Sequence, residues 1–342
     1  MPEEVVAMSG IIELKTPYLL FLGDAADALA AKTAQGVAHW RPEWSLGQLR
    51  LPGCNADLGL KDMTLQEAYD AGARTLVVGV ANRGGVISAA WVKVFLEALD
   101  VGFDIAAGLH NRLADIPELA ARAKELGRTL SDVRHPKGTL PVGDGKKRPG
   151  KRLLPVGTDC SCGKMYTALS FEKEMKRRGM KASFRATGQT GILIAGGGIS
   201  VDAVVADFIA GATEVLAPAN DADHWDLVEG QGSLFHASYA GVSTGLLHGA
   251  QPDVLILCHE PTRTHMRGLP HYPIPDLAEC MRLNLEMARL TNPSVKFAGI
   301  CINTSLMNKA DIGPYLASLE DKFGLPAVDP FSMGVGKIVD TL

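Results

Sequence analysis

Gly157-Thr158-Asp159-Cys160-Ser161-Cys162-Gly163-Lys164 is the stretch that decides how this chain is read. Before it runs the apolar segment Leu153-Leu154-Pro155-Val156. After it comes a helical pattern over 164–178, with Met165, Ala168, Phe171 and Met175 on one side and Gly179 at its end. Strand, glycine-bounded turn, Gly-Lys and helix, in that order, are the context of a phosphate-binding loop. Successive backbone N–H groups curl around the anion, the helix N-terminus adds its positive end, and lysine brings a mobile point charge. Gly157, Thr158, Asp159, Cys160, Ser161, Cys162, Gly163, Lys164 and Met165 are therefore the candidates to hold a phosphorylated ligand.

Two details refine this expectation. Five residues separate Gly157 from Gly163, where four is the common spacing. The five-residue variant with a Gly-Thr-Asp opening is similar to the loop of dethiobiotin synthetase and its relatives. The position after the lysine, where a hydroxyl ligates Mg²⁺ in nucleotide hydrolases, is Met165. Thr167 lies two residues further, roughly 200° around a helix of 3.6 residues per turn, and is no simple replacement. Loss of that metal holder weakens the case for γ-phosphoryl transfer. It favours a loop that grips a phosphorylated cofactor without splitting it. The other reading keeps Mg²⁺ on an Asp or Glu elsewhere.

Further polar clusters surround this loop in the second half. Asp226-Leu227-Val228-Glu229 reads as a strand ending in a carboxylate, followed by Gly230-Gln231-Gly232-Ser233. A carboxylate at the carboxyl end of a strand lies where open α/β sheets bind ligands. Glu229 is the candidate general base or metal-side carboxylate, against the plain reading of a turn residue. His236 is the second candidate, against a structural histidine. Arg185, Thr187, Gly188, Gln189 and Thr190 follow the expected strand 183–187 and offer a cation, hydroxyls and backbone N–H groups. Gly196-Gly197-Gly198 come next, and Val201, Val204, Val205, Phe208 and Ile209 have the spacing of a buried helix stripe. Arg263 and Arg267 are i, i+4 if helical and suit a carboxylate bidentately. The six-residue steps of His259, His265 and His271 align on no helix face, so no metal site is expected there.

The first half alternates strand and helix: Tyr18 to Leu22, Thr75 to Val80, a helix over 86–99, Phe103 to Ala107, and a helix over 116–126. The polar loop Asn82-Arg83-Gly84-Gly85 follows a strand and is a candidate ligand contact. Alternation of this kind predicts α/β architecture with parallel, helix-flanked sheets. Residues 141–152, rich in Gly and Pro and carrying Lys146, Lys147, Arg148, Lys151 and Arg152, read as a basic linker between domains 1–140 and 153–342. Its charges suit either a solvated linker or an electrostatic collar near the phosphate site. The 342 residues fit two domains at roughly 100–200 residues each. A net charge of −4 argues against a general nucleic-acid binder. No run is apolar enough for a membrane span, and MPEEVVAMSG does not read as a signal peptide, so a cytoplasmic address is the default. The six cysteines are too sparse for a disulfide framework, and Cys160-x-Cys162 lacks the second half-site that zinc needs.

Taken together, the loop at 157–164, Glu229-Gly230-Gln231-Gly232-Ser233 and Leu247-His248-Gly249…Pro252-Asp253 resemble one family. So do Gly84-Gly85…Trp91 and Gly102-Phe103-Asp104-Ile105…Gly108-Leu109-His110. It is a two-domain family long known as a domain of unknown function, and the resemblance runs nearly end to end. It implies an N-terminal Rossmann-like domain and a C-terminal P-loop NTPase-like parallel-sheet domain. The family includes a D-glutamate N-acetyltransferase. The resemblance therefore implies transfer of acetyl from acetyl-CoA to the amine of D-glutamate, giving N-acetyl-D-glutamate. The residues meet that implication at the loop, which can hold a CoA diphosphate with no bond to break there. The expected assignment has Glu229, Lys164 and His236 as the catalytic set. Arg185, Thr187, Gly188, Gln189, Thr190, Gln231, Arg263 and Arg267 contact substrate, and there is no metal. A covalent acetyl-cysteine at Cys160 or Cys162 is a further route. The rival readings are a Mg-ATP-dependent ligase or kinase of the dethiobiotin-synthetase type and a non-catalytic nucleotide-binding regulator. The partners expected are a small amino acid and a second copy of the chain, in a homodimer or higher homo-oligomer.

Overall fold

The computed structural model describes residues 10–80 and 86–342. The Asn82–Gly85 loop and residues 1–9 singled out above lie outside the described residues. The described chain divides into two compact units, one of Gly10–Gly138 with Gly188–Ala203, the other of Thr139–Thr187 with Val204–Leu342.

The first unit holds five parallel strands, β1 (Tyr18–Gly23), β2 (Ser45–Arg50), β3 (Thr75–Val78), β4 (Asp104–Ala107) and β5 (Leu130–Asp132), in the order β2-β1-β3-β4-β5. Strands β1, β3 and β4 are buried throughout, as expected for inner strands covered on both faces. Helices α1 (Lys32–Trp40), α2 (Leu65–Asp70), α3 (Ala89–Val101) and α4 (Pro117–Glu125) cover the sheet. Pro117 occupies the first turn of α4, and a Thr64–Glu67 capping box opens α2. Gly23 is tied to its position twice over: its φ is +52°, and a Cβ there would lie 2.8 Å from the Trp91 ring.

The second unit is a six-stranded parallel sheet built from β6 (Lys151–Gly157), β7 (Ala182–Arg185), β8 (Trp225–Val228), β9 (Val254–His259), β10 (Lys296–Ile302) and β11 (Ala327–Val328). The order is β11-β10-β9-β6-β8-β7. Side chains alternate across β6. Leu153 packs with Phe171 and Met175 of α5 (Lys164–Arg177) on one face. Leu154 and Val156 meet Leu246 and Leu247 of α8 (Ala240–Ala250) on the other. Pro155 sits in this central strand without breaking it, because the ladder to β8 ends at Leu153 and only the ladder to β9 continues to Gly157.

Three expectations change here. Residues 188–203 group with the first unit: α6 (Gln189–Ala195) packs on α1, and Gly197–Gly198 pair antiparallel with Ile12–Glu13. The stripe over 201–209 is not one helix. The chain passes from one unit to the other after Ala203, two short 3-10 turns precede α7 (Ile209–Leu216), and Val205 is exposed. Finally, 141–152 divides: residues 141–147 are exposed and irregular, as a solvated linker would be, but the basic residues after them form no collar at the phosphate loop. Lys151 and Arg152 begin β6, at the end of the sheet opposite the phosphate loop. Seven extended residues hold the two apart by roughly 20 Å. Arg152 is fully buried, and Lys147 and Arg148 bond to Asp253, Gln251, Gly249 and Ala217. Among the described residues no helix is long and apolar enough to cross a membrane.

Candidate active site

Strand β6 has β8 on one side and β9 on the other, both later in the chain, so its carboxyl end is the topological switch point where such sheets bind ligands. The loop 157–164 leaves there and runs into α5. Ser161 at φ +53° and Gly163 at φ +107° turn consecutive peptide groups inward. Among the described residues no acceptor meets the amides of Ser161, Cys162, Gly163, Lys164 or Met165. These unmatched donors, at the positive end of a fourteen-residue helix, form an anion nest. Lys164 Nζ lies along it, 2.8 Å from the Asp159 carbonyl and 3.6 Å from Cys162 Sγ.

The loop is braced from below and from the side. Below it, Cys162 Sγ donates to the Asp159 carbonyl at 3.1 Å, and a Cβ on Gly157 would lie 2.5 Å from that sulfur. At the side, the buried Asp159 carboxylate accepts from Cys160 N (2.7 Å), Arg263 Nη1 (2.6 Å) and Arg267 N (2.8 Å). Arg263 also donates to the Cys160 and Ser161 carbonyls, and Arg267 to the Ser161 hydroxyl. The segment carrying the two arginines is a turn followed by a hairpin (His265–Met266 with Leu269–Pro273), not a helix. Both guanidinium groups therefore grip the loop, where the sequence suggested substrate contacts. Arg185 is likewise committed, donating from Nε to the fully buried Asp226 at 2.7 Å.

Glu229 comes off β8 beside the nest. Its Oε2 accepts Thr187 N at 2.9 Å, its carbonyl accepts Thr187 Oγ1 at 2.7 Å, and Gln231 Nε2 reaches that hydroxyl at 3.1 Å. Gly230 must be glycine, because a Cβ would fall 1.8 Å from the Pro155 carbonyl and 2.9 Å from Lys164 Cδ. Glu229, Thr187 and Gln231 are thus bonded into one cluster whose Gly230 packs on the Lys164 stem, and Ser233 Oγ donates to the Thr158 carbonyl to lock the two loops together. Gly188, Gln189 and Thr190 belong to the other unit. The cavity lined by Gly157, Gly230, Ser233 and Asn284 measures about 10 Å³, room for one water molecule.

His236 is buried, with Nε2 3.2 Å from the Arg267 carbonyl and Nδ1 accepting Ser238 N at 3.2 Å. With both nitrogens engaged it is a strut beneath the hairpin, not an open base. Asp159, Cys160 and His236 do bring ligand atoms within 4.8 Å of one another. The fit to a metal is poor: the Asp159 oxygens and His236 nitrogens already have partners, and burial pushes the Cys160 thiol up, away from the thiolate a metal needs. The same shift weighs against an acetyl-cysteine at Cys160. Thr167 faces inward to Cys258 Sγ at 3.3 Å, in line with the helical spacing.

His259 ends β9 with Nδ1 2.9 Å from Thr158 Oγ1, and burial lowers its pKa to about 4, so it is neutral. The sequence carries the signal for it, a histidine closing the apolar run 254–258.

A Gly-Lys anion nest at the switch point of a parallel sheet defines a P-loop protein, here with a second parallel-sheet unit. The chain belongs to the DUF1611 family. The family's P-loop domain, a domain of unknown function, matches residues 141–339, and its Rossmann-like N-terminal domain matches residues 49–136. The chain is 60% identical over 329 residues to a D-glutamate N-acetyltransferase of Tritonibacter scottomollicae, covering 96% of this chain and 99% of that one. It is 48% identical over 331 residues to a D-glutamate N-acetyltransferase of a Pseudoalteromonas species, covering 97% and 100%. Among solved structures, a DUF1611 family protein from Anabaena variabilis superposes with a TM-score of 0.81 at 30% identity, covering 96% and 99%.

Proposed function

We propose that this chain is a D-glutamate N-acetyltransferase that draws its acetyl group from acetyl-CoA, with the loop 157–164 holding the CoA diphosphate. The activity comes from the near-full-length likeness to the two named relatives. The donor assignment is carried by one observation: a row of unmatched amides from Ser161 to Met165, with no hydroxyl at 165 to hold Mg²⁺. Such a nest binds a diphosphate as a handle.

In this reading Lys164 and the nest fix the donor, and Glu229 accepts a proton from the substrate ammonium. The free amine then attacks the thioester carbonyl. A C–N bond forms, the C–S bond breaks, and the CoA thiolate leaves with a proton returned from the site. General-base help of this kind contributes about 10²–10⁴-fold. Backbone amides of Gly230–Gly232 are the oxyanion donors expected beside it. Arg263 and Arg267 act by holding Asp159 and the loop in shape.

The test follows thiol release from acetyl-CoA with D-glutamate as acceptor. Glu229→Gln keeps an acceptor for Thr187 N, so the fold and the KM for acetyl-CoA should hold while kcat falls about 10²–10⁴-fold. Near-normal kcat would remove Glu229 as the base. Magnesium-dependent ADP release from ATP, with no thiol release, would overturn the donor assignment.

A further inference from the structure

Beyond the loop, one exposed apolar feature calls for a ligand. Phe331 and Met333 are 62% and 61% exposed, and Tyr166, in the first turn of α5, is 38% exposed. Single exposed apolar side chains are ordinary on a protein surface; a cluster on a loose turn would call for no more comment. Here the turn is not loose. The turn 329–333 is anchored by Asp329, itself buried, which accepts Phe331 N at 2.8 Å, Ser332 N at 3.2 Å and Thr304 N at 3.4 Å, along with the Thr304 hydroxyl. Ser170 of α5 ties the same turn to the helix through the Pro330 carbonyl at 3.2 Å. Phe331 is therefore presented by a fixed turn. Its ring meets Tyr166 edge-on, 6.0 Å between centroids and 87° between planes, forming a right-angled aromatic corner.

The corner adjoins the anion nest through the backbone of α5. Tyr166 follows Lys164 by two residues, about 3 Å along the axis. In a nucleotide one ribose separates the base from its diphosphate. The base of a diphosphate held in the nest is therefore within reach of the first turns of this helix. Every base has a flat π-face suited to an aromatic ring, and such stacking depends little on which hydrogen-bonding groups it carries.

We propose that Tyr166, Phe331 and Met333 form the ledge on which the adenine of the acyl donor stacks. The proposal rests on the CoA assignment above and deepens it: the phosphate loop holds the diphosphate, and this ledge makes the donor a nucleotide thioester in place of a bare phosphopantetheine.

The experiment measures equilibrium binding of CoA and of 4′-phosphopantetheine to the wild-type protein, Phe331→Ala and Phe331→Trp. Phe331 is mostly solvent-exposed, so both variants should melt with the wild type. Phe331→Ala should weaken CoA about tenfold or more, leave phosphopantetheine unchanged, and be rescued by Phe331→Trp. Unchanged CoA affinity, or an equal loss for both ligands, would overturn the ledge. If the wild type binds no CoA, the donor assignment fails by itself. ADP then tests the ledge alone: a tenfold loss on Phe331→Ala sustains it as a nucleobase site, and no loss or no binding removes it.

Discussion

The six-stranded sheet has positive charge at both ends, and the two ends use it in opposite ways. At the amino end of β6, Arg152 is fully buried, with Nη1 on the Arg148 carbonyl and Nη2 on the carbonyls of Pro149 and Pro218. Arg148 in turn bonds the Ala217 and Gly249 carbonyls and the Gln251 side chain, and Lys147 bonds Asp253. The Nη groups of Arg152, the Arg148 guanidinium and the Lys147 ammonium each have an acceptor within the protein. At the carboxyl end, five consecutive amides meet no acceptor among the described residues, and the lysine beside them bonds one backbone carbonyl. A basic cluster is thus no marker of an anion site. Donors that the fold leaves unmatched are.

The first way to break this comparison is at the closed end. Arg152→Ala removes a buried cation and leaves three carbonyls without their donor. Breaking one partner of a buried charged network costs about 3–5 kcal/mol, so the variant should show that loss in urea unfolding. Its affinity for CoA, measured on the folded fraction, should stay at the wild-type value, since the nest lies at the far end of β6. A stability change under about 1 kcal/mol would mean the amino-end cluster is no more than a surface charge group.

The same contrast explains what could be read from the sequence. Gly157 to Lys164 was legible because a phosphate loop is a local device: strand, turn and helix N-terminus are neighbours in the chain. Strand β1 and helix α4 were legible for the same reason, one as an apolar run and the other through Pro117 and Gly127. Arg263 was not, because beside its local partner Glu260 its acceptors on the phosphate loop are 102 to 104 positions away in the chain, and the packed fold brings them together. Arg148 was hidden in the same way: composition shows its charge, but not that acceptors from Ala217, Gly249 and Gln251 close around it, while the exposed Lys146 stayed as a linker residue should. The stripe at 201–209 kept helical spacing across a point where the chain changes units, which periodicity cannot register.

A second probe separates the ends by pH. Arginine does not titrate in the accessible range, so the closed end contributes little below neutrality. His259 does titrate. Burial holds its folded pKa near 4 against an ordinary 6.5. Between these values the unfolded chain binds the extra proton, so stability falls as pH drops from 6.5 toward 4 and is unaffected above 6.5. The full loss is about 3 kcal/mol. Urea unfolding of the wild type and His259→Asn at pH 7, 6 and 5 should give curves that converge on acidification. Parallel curves would remove His259 as a buried neutral group.

The smallest effect is expected at the open end itself, and its sign matters more than its size. Lys164 is nearly buried, yet among the described residues its ammonium meets only the Asp159 carbonyl and a thiol. That is thin compensation for a desolvated charge. Lys164→Ala should therefore leave stability unchanged or raise it slightly, the opposite of Arg152→Ala. Its cost should appear only when an anion is present, as the loss of one charge-assisted contact worth about 2 kcal/mol, or roughly 30-fold in the Kd for CoA. A melting temperature that fell with no change in Kd would place Lys164 among the structural cations, and the distinction between the two ends of the sheet would disappear.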